Sequence, residues 1–317
     1  MRAFVKALAA IPFLAGAAPA LAQYPTQPVT LVVGFSAGGG MDTIARLVGA
    51  RLSEELGQQV VVENRPGAGG TIAPGFVANA RADGYTLYVG ETAAMIAPVT
   101  QGDVGYDPVA SFVPLGQMAV APLALVANTA TGIDSMAAFV AKVKAEPGEH
   151  FYAAPGVGTL QHLAVEQIKG ALDLDLEAVQ FQGGSPLLAA VLSGEVPFGV
   201  LSLNAAKAQA DAGAVNVLGV TTADRVPGFE DIEAISETIP GFDGSPAQFL
   251  MAPAGTPDDV VAKLRQALAA TMADEELQVS LAGRGLLPAY IDGSTFEAQL
   301  PGLIETWSAT ARVALGK

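Results

Sequence analysis

The segment Gly34-Phe35-Ser36-Ala37-Gly38-Gly39-Gly40-Met41-Asp42 follows the β-branched run Val29 to Val33 and precedes a helical pattern, a context that offers two chemistries. In the first, the backbone holds a small anion. Three consecutive glycines leave the turn without Cβ atoms, so N–H groups can approach a ligand closely, and the following helix directs its positive end at the same point. Such a site needs no lysine or arginine. In the second, Gly34 to Gly38 matches G-x-S-x-G, the strand-to-helix turn that exposes Ser36 as a nucleophile. That turn would follow the first strand of the mature chain, leaving no upstream strand and loop to build an oxyanion hole, and only His150 and His162 are available as the base. Anion binding is the favoured reading. No complete G-x-G-x-x-G, Walker lysine or H-E-x-x-H pattern is present.

A second stretch repeats the logic. Phe151 to Ala154 reads as a strand, Pro155-Gly156-Val157-Gly158-Thr159 as a glycine-rich turn, and Leu160 to Lys169 as a helix. Two such turns, one per lobe, can face each other across a cleft. Thr159 is an N-cap candidate whose hydroxyl could reach a ligand, and His162 lies one turn into the helix, as either a loop-orienting or a ligand-contacting group. Asp42 is read first as a cap of free N–H groups and second as a ligand contact. Gly67, Gly69 and Gly70 are read as a tight turn. Glu91 and Thr92 follow the strand ending at Val89, at the rim or floor of the cleft. A glutamate there would repel a second ligand carboxylate, which suggests a solute carrying an amine or hydroxyl away from its anchored end. Phe35, Phe181, Gln182 and Phe249 are the side chains expected to tune specificity, with core packing the competing reading for each aromatic.

Positioning these groups takes alternating strands and helices. Val60 to Val62, Tyr85 to Val89, Ala178 to Phe181, Phe198 to Leu201, Val215 to Thr221 and Ala247 to Ala252 read as further strands, and helices are expected from Ser185, from Asn204, over Pro257 to Met272 and around Phe296 to Leu315. The pattern predicts an α/β chain of mainly parallel sheets covered by helices. The apolar stretch Leu115 to Val126, with Pro122 inside it, is expected to cross between lobes.

Arg2 and Lys6, the apolar run Leu8 to Ala17 and the small-x-small Ala20-Leu21-Ala22 read as a signal peptide over 1–22, too short to span a membrane well. The mature chain is then exported and soluble, with the periplasm the best fit. It lacks cysteine, which removes disulfides, an N-terminal lipid anchor and thiolate zinc sites. Cleavage leaves 14 basic residues against 31 acidic, a net charge of −17. That disfavours nucleic acid and anionic membranes as partners, while local backbone dipoles still permit an anionic ligand. No cofactor or metal site is expected.

The runs Glu63-Asn64-Arg65-Pro66-Gly67-Ala68-Gly69-Gly70, Asp83-Gly84-Tyr85-Thr86-Leu87, Tyr106-Asp107-Pro108 and Ala252-Pro253-Ala254-Gly255-Thr256-Pro257, in this order along essentially the whole mature chain, closely resemble the Bug family of solute-binding proteins of tripartite tricarboxylate transporters. The resemblance implies a two-lobed, type II periplasmic-binding fold closing over a small carboxylate and presenting it to membrane permease subunits. It places the ligand carboxylate between Phe35 to Gly40 and Pro155 to Thr159, held largely by backbone amides and bridging waters. The chain departs from the usual family pattern at Gly34, Ala37, Tyr152 to Pro155, Phe181-Gln182-Gly183 and Gln248-Phe249. The expected organisation is lobe 1 over 23–123 and 247–317 and lobe 2 over 124–246, as a monomer without catalytic turnover. A secreted serine hydrolase using Ser36 and a ligand-sensing subunit of the same fold are the rival readings.

Overall fold

The computed structural model describes residues 24–317 except Gly39 and Gln182; the expected signal peptide lies outside the described residues. The chain runs β1 (Val29–Val33), α1 (Gly40–Leu56), β2 (Val60–Asn64), α2 (Ile72–Ala78), β3 (Thr86–Glu91), α3 (Thr92–Thr100) and β4 (Phe112–Val120). It continues through β5 (Leu123–Asn128), α4 (Met136–Ala145), β6 (Phe151–Ala154), α5 (Leu160–Leu172), β7 (Glu177–Gln180), α6 (Gly184–Ser193), β8 (Phe198–Ser202), α7 (Leu203–Asp211) and β9 (Val215–Val220). It closes with β10 (Ala247–Pro253), α8 (Asp258–Met272), α9 (Glu275–Ala282), β11 (Leu287–Asp292) and α10 (Gly293–Ala314).

Two open sheets result, ordered β11-β4-β10-β3-β1-β2 and β7-β6-β8-β5-β9. In the first, β1 to β4 share a direction and β10 and β11 oppose it; in the second, only β5 opposes the rest. The sheets are therefore mixed, because β5 and β10 are the strands by which the chain enters and re-enters a sheet from the other lobe. The stretch expected to cross divides at Ala121-Pro122 into β4 and β5, one in each sheet.

Helix α1 forms because Ile44, Val48 and Leu52 recur every fourth residue, all fully buried. They pack against Leu31, Val33 and Leu87 on one face of the first sheet, together with α8 and α9. Each such side chain contributes roughly 1.5–3 kcal/mol on burial. The other face carries Val32, Tyr88 and Phe249 against Phe296 and Leu300 of α10. The second sheet is covered by Met136, Phe139, Ala164 and Ile168 on one side and by Leu187, Val191 and Ala206 on the other.

The two crossings run side by side. Ala121 N donates to Pro246 O (2.9 Å), Leu123 N to Thr221 Oγ1 (3.1 Å), and the Thr221 and Ser245 hydroxyls share a bond of 3.0 Å. A further seam joins the lobes: Trp307 and Ala311 of α10, Ile96 of α3, and Leu160 and Leu163 of α5 form one buried cluster.

Candidate functional site

Each glycine turn leaves the carboxyl end of a strand, β1 or β6, and ends at a helix N-terminus, α1 or α5. In the first, Gly38 adopts φ +83°, a left-handed conformation that disfavours side chains. Its N–H donates to Asp42 Oδ2 (2.8 Å), which also accepts from Arg46 Nε (2.9 Å), while Asp42 Oδ1 accepts from Asn64 Nδ2 (3.0 Å) and faces Arg46 Nη2 at 2.9 Å. Asn64 Nδ2 also reaches Phe35 O (3.0 Å). Asp42 is only 3% exposed, and its hydrogen bond from Arg46, reinforced by those from Gly38 and Asn64, holds its carboxyl at about 2 despite burial. Its acceptor sites are taken, so it shapes the loop. Gly34 lies so close to Gly70 that a Cβ there would stand 2.6 Å from the Gly70 carbonyl oxygen, and the Phe35 ring covers Gly70. Ser36, Ala37, Gly38 and Gly40 are exposed; Gly39 lies outside the described residues.

The second turn has its own internal brace. Gly158, at φ +75°, donates its N–H to His162 Nδ1 (3.2 Å), and Thr159 Oγ1 donates to Gly156 O (2.8 Å) while accepting from His162 N (3.4 Å). His162 is 4% exposed and stacks on Tyr152, whose hydroxyl donates to Glu166. Burial pushes the His162 pKa down, in keeping with a neutral ring whose Nδ1 accepts. Pro155 and Gly156 remain partly open, whereas the Thr159 hydroxyl and the His162 ring are committed to the loop. This turn also meets the other lobe, since a Cβ at Gly158 would lie 3.5 Å from Thr100 Cγ2 at the end of α3. Gly183 follows β7 and precedes α6 with φ +100°, beside the partly buried Phe181; Gln182 lies outside the described residues.

The remaining sequence-predicted residues separate. Thr92 is fully buried, and its Oγ1 accepts from Ala247 N (3.0 Å), tying the end of β3 to the returning chain. Phe249 corrects the expectation that it tunes specificity: it is wholly buried, 5.4 Å ring to ring from Phe296, in the core beneath α10. Glu91 is partly buried at the end of β3, no described residue hydrogen-bonds its carboxyl, and burial alone pushes it up to about 7. Sequence reasoning missed its neighbour. Gln248, opposite Glu91 in the β10–β3 ladder, is 2% exposed, and its Oε1 has no partner among the described residues. It also missed Asn64 and Arg46, which hold Asp42. The available signals were a lone glutamine inside the apolar run Ala247 to Pro253 and the asparagine of Glu63-Asn64-Arg65-Pro66.

Ser36 hydrogen-bonds neither histidine: His162 Nδ1 serves Gly158, and His150 Nε2 lies 3.1 Å from a Glu146 carboxylate oxygen. A cavity of about 730 Å³ opens on the α10 side, among Gln117, Phe242, Asp243, Phe296, Leu303 and Trp307. None of the residues singled out by sequence lines it, so this cavity and the glycine turns are separate features.

Residues 44–301 match the family model described as tripartite tricarboxylate transporter family receptor. A UPF0065 protein of Bordetella bronchiseptica is 36% identical over 79% of this chain and 75% of its own length. Among solved structures, an R. palustris protein with adipate superposes with a TM-score of 0.75 at 33% identity, covering 92% of this chain and 98% of that one. MatC from Rhodopseudomonas palustris with bound malate gives 0.71 at 29% identity, covering 91% and 100%. The two-lobed architecture and the order of motifs agree with these matches, and the chain belongs to the tripartite tricarboxylate transporter receptor family, the Bug-type solute-binding proteins.

Proposed function

We propose that this solute-binding protein works in the periplasm, anchoring a small organic acid by its carboxylate between the turns Phe35 to Gly40 and Pro155 to Thr159 and passing it to membrane permease subunits. The observation that carries the reading is the matched pair of glycine turns, each at a helix N-terminus and each braced from within, by Asp42 in one and His162 in the other. Bracing fixes the directions of the N–H groups before the ligand arrives, which lowers the ordering cost of binding. Backbone groups of both turns reach one carboxylate only when the lobes, 23–123 with 247–317 and 124–246, close over it. Closed-state affinity then exceeds open-state affinity, and the ligand shifts the population. In this reading Ser36, Ala37, Gly40 and Gly156 face the ligand, with no turnover.

A thermal-shift screen of residues 23–317 against carboxylates, amino acids and neutral sugars tests it. A solute at a hundred times its Kd stabilises the native state by about 2.7 kcal/mol, so carboxylates should raise Tm while sugars leave it unchanged. Absence of any shift with carboxylates, together with covalent labelling of Ser36 by a fluorophosphonate, would replace the proposal with the hydrolase.

A further inference from the structure

We propose that Glu91 and Gln248 select the solute, admitting an acid whose far end donates hydrogen bonds through an amine or hydroxyl and disfavouring a second carboxylate. The inference rests on the carboxylate-binding function proposed above and concerns the opposite end of the same ligand.

Glu91 and Gln248 stand directly opposite each other in the antiparallel ladder, so their side chains leave the same face of the sheet. That face is set by their neighbours at spacing two, Leu87 and Val89 on β3 and Leu250 and Ala252 on β10, all in the core beneath α1. Both polar groups thus sit where that core ends. The first glycine turn leaves the sheet at the same level: Val33 pairs with Val89, so Phe35 and Glu91 are each two residues beyond one ladder rung. Phe35 packs on the same core.

Among the described residues, no group donates a hydrogen bond to the Glu91 carboxylate or to Gln248 Oε1. Gln248 Oε1 is buried and unpartnered among the described residues, and its other ladder neighbour, Ala119, offers only a methyl group. No described residue hydrogen-bonds Glu91, and no cation contributes to its ionisation. Arg46, on the helix that covers this face, is committed to Asp42. A buried acceptor without a donor carries a desolvation penalty that a matching ligand group removes. An ammonium can donate to both acceptors and a hydroxyl to one of them, whereas a second carboxylate meets Glu91 as a like charge unless a proton is taken up. Adipate, with a carboxylate at each end, is the wrong shape of charge for this pair.

Isothermal titration of residues 23–317 at pH 8 against two matched sets decides the matter: adipate, 6-aminohexanoate and 6-hydroxyhexanoate, and succinate, 4-aminobutanoate and 4-hydroxybutanoate. In at least one set a donor-bearing acid should bind at least about tenfold more tightly than its diacid, as expected for one charge-assisted hydrogen bond. Glu91→Gln should erase that ratio, weakening the amino acid and strengthening the diacid, and Gln248→Leu should weaken the donor-bearing acids without improving the diacid. Diacids binding as tightly as their partners in both sets, an unchanged ratio in Glu91→Gln, or no binding by any of the six overturns the inference. The proposed function fails separately, only if every carboxylate is silent in the thermal screen.

Discussion

Replacing Glu91 by glutamine should stabilise the protein at alkaline pH and leave it unchanged in acid. Burial lifts the Glu91 carboxyl to about 7, and among the described residues no cation offsets it. In the unfolded chain the group titrates near the ordinary glutamate value of 4.5. Between these two values the native state holds a proton that the unfolded state has released, so stability falls as pH rises through this window and levels off above 7. A difference of roughly 2.5 pH units at 1.36 kcal/mol each gives about 3 kcal/mol, an upper bound because Glu91 keeps some exposure to solvent. Glutamine mimics the protonated form. The variant should match the wild type near pH 4.5 and exceed it by up to about 3 kcal/mol at pH 8, on the order of 5–10 °C in Tm for a chain of this size. Paired urea and thermal unfolding of both proteins at pH 4.5, 6, 7 and 8, without solute, measures the gap. A gap that stays constant across the four pH values would show that Glu91 ionises normally, and the argument from its burial would collapse.

Two further outcomes follow from the braces and the seam. Asp42→Ala leaves Gly38 N–H without its acceptor and Arg46 and Asn64 without theirs, and should cost about 2 kcal/mol in urea unfolding at pH 7 while weakening every carboxylate that binds, since the loop loses its fixed shape. An unchanged affinity would mean that Asp42 does not set the geometry of the anion site. Trp307 is the only tryptophan and is buried where α3, α5 and α10 meet, so lobe closure should shift its emission when a solute that raises Tm is added; emission that stays fixed at saturation would refute rotation about this seam.

The elements legible in the sequence were those whose burial follows a simple period. Val29 to Val33 is a central strand buried along most of its length and reads as a β-branched run; Ile44, Val48 and Leu52 read as a helix. Two of the elements that escaped break those rules. β11 contains Pro288, is half-buried along nearly all its length and sits at the sheet edge, the position where proline is tolerated and alternation fades. α3 carries Pro98 and is apolar on most sides because it is wedged between the first sheet and α10, so no polar face marks it. Both glycine turns were legible because glycine-rich runs between a strand pattern and a helix pattern stand out in the sequence. Their braces were less so: Asp42 and His162 were read as either structural or ligand-contacting, and only hydrogen-bond geometry shows both facing inward.

The Glu91 and Gln248 pair was half legible for a reason of parity. On β10 the sequence-based choice for a specificity residue was Phe249, and the residue facing Glu91 is Gln248. Successive side chains of a strand point to opposite faces, so an error of one position moves the assignment from the end of one core to the middle of the other. Large aromatic residues draw attention, yet here the aromatic packs on Phe296 while the smaller amide is left with an unmet carbonyl. The division of labour then has a physical basis. On the proposed reading, backbone amides at two glycine turns read a carboxylate, a group shared by many acids, and they tolerate side-chain change because no side chain supplies the contact. On the same reading, what distinguishes one acid from another falls to side chains at the strand ends, where a single buried acceptor such as Gln248 Oε1 would change which ligand group is favourable.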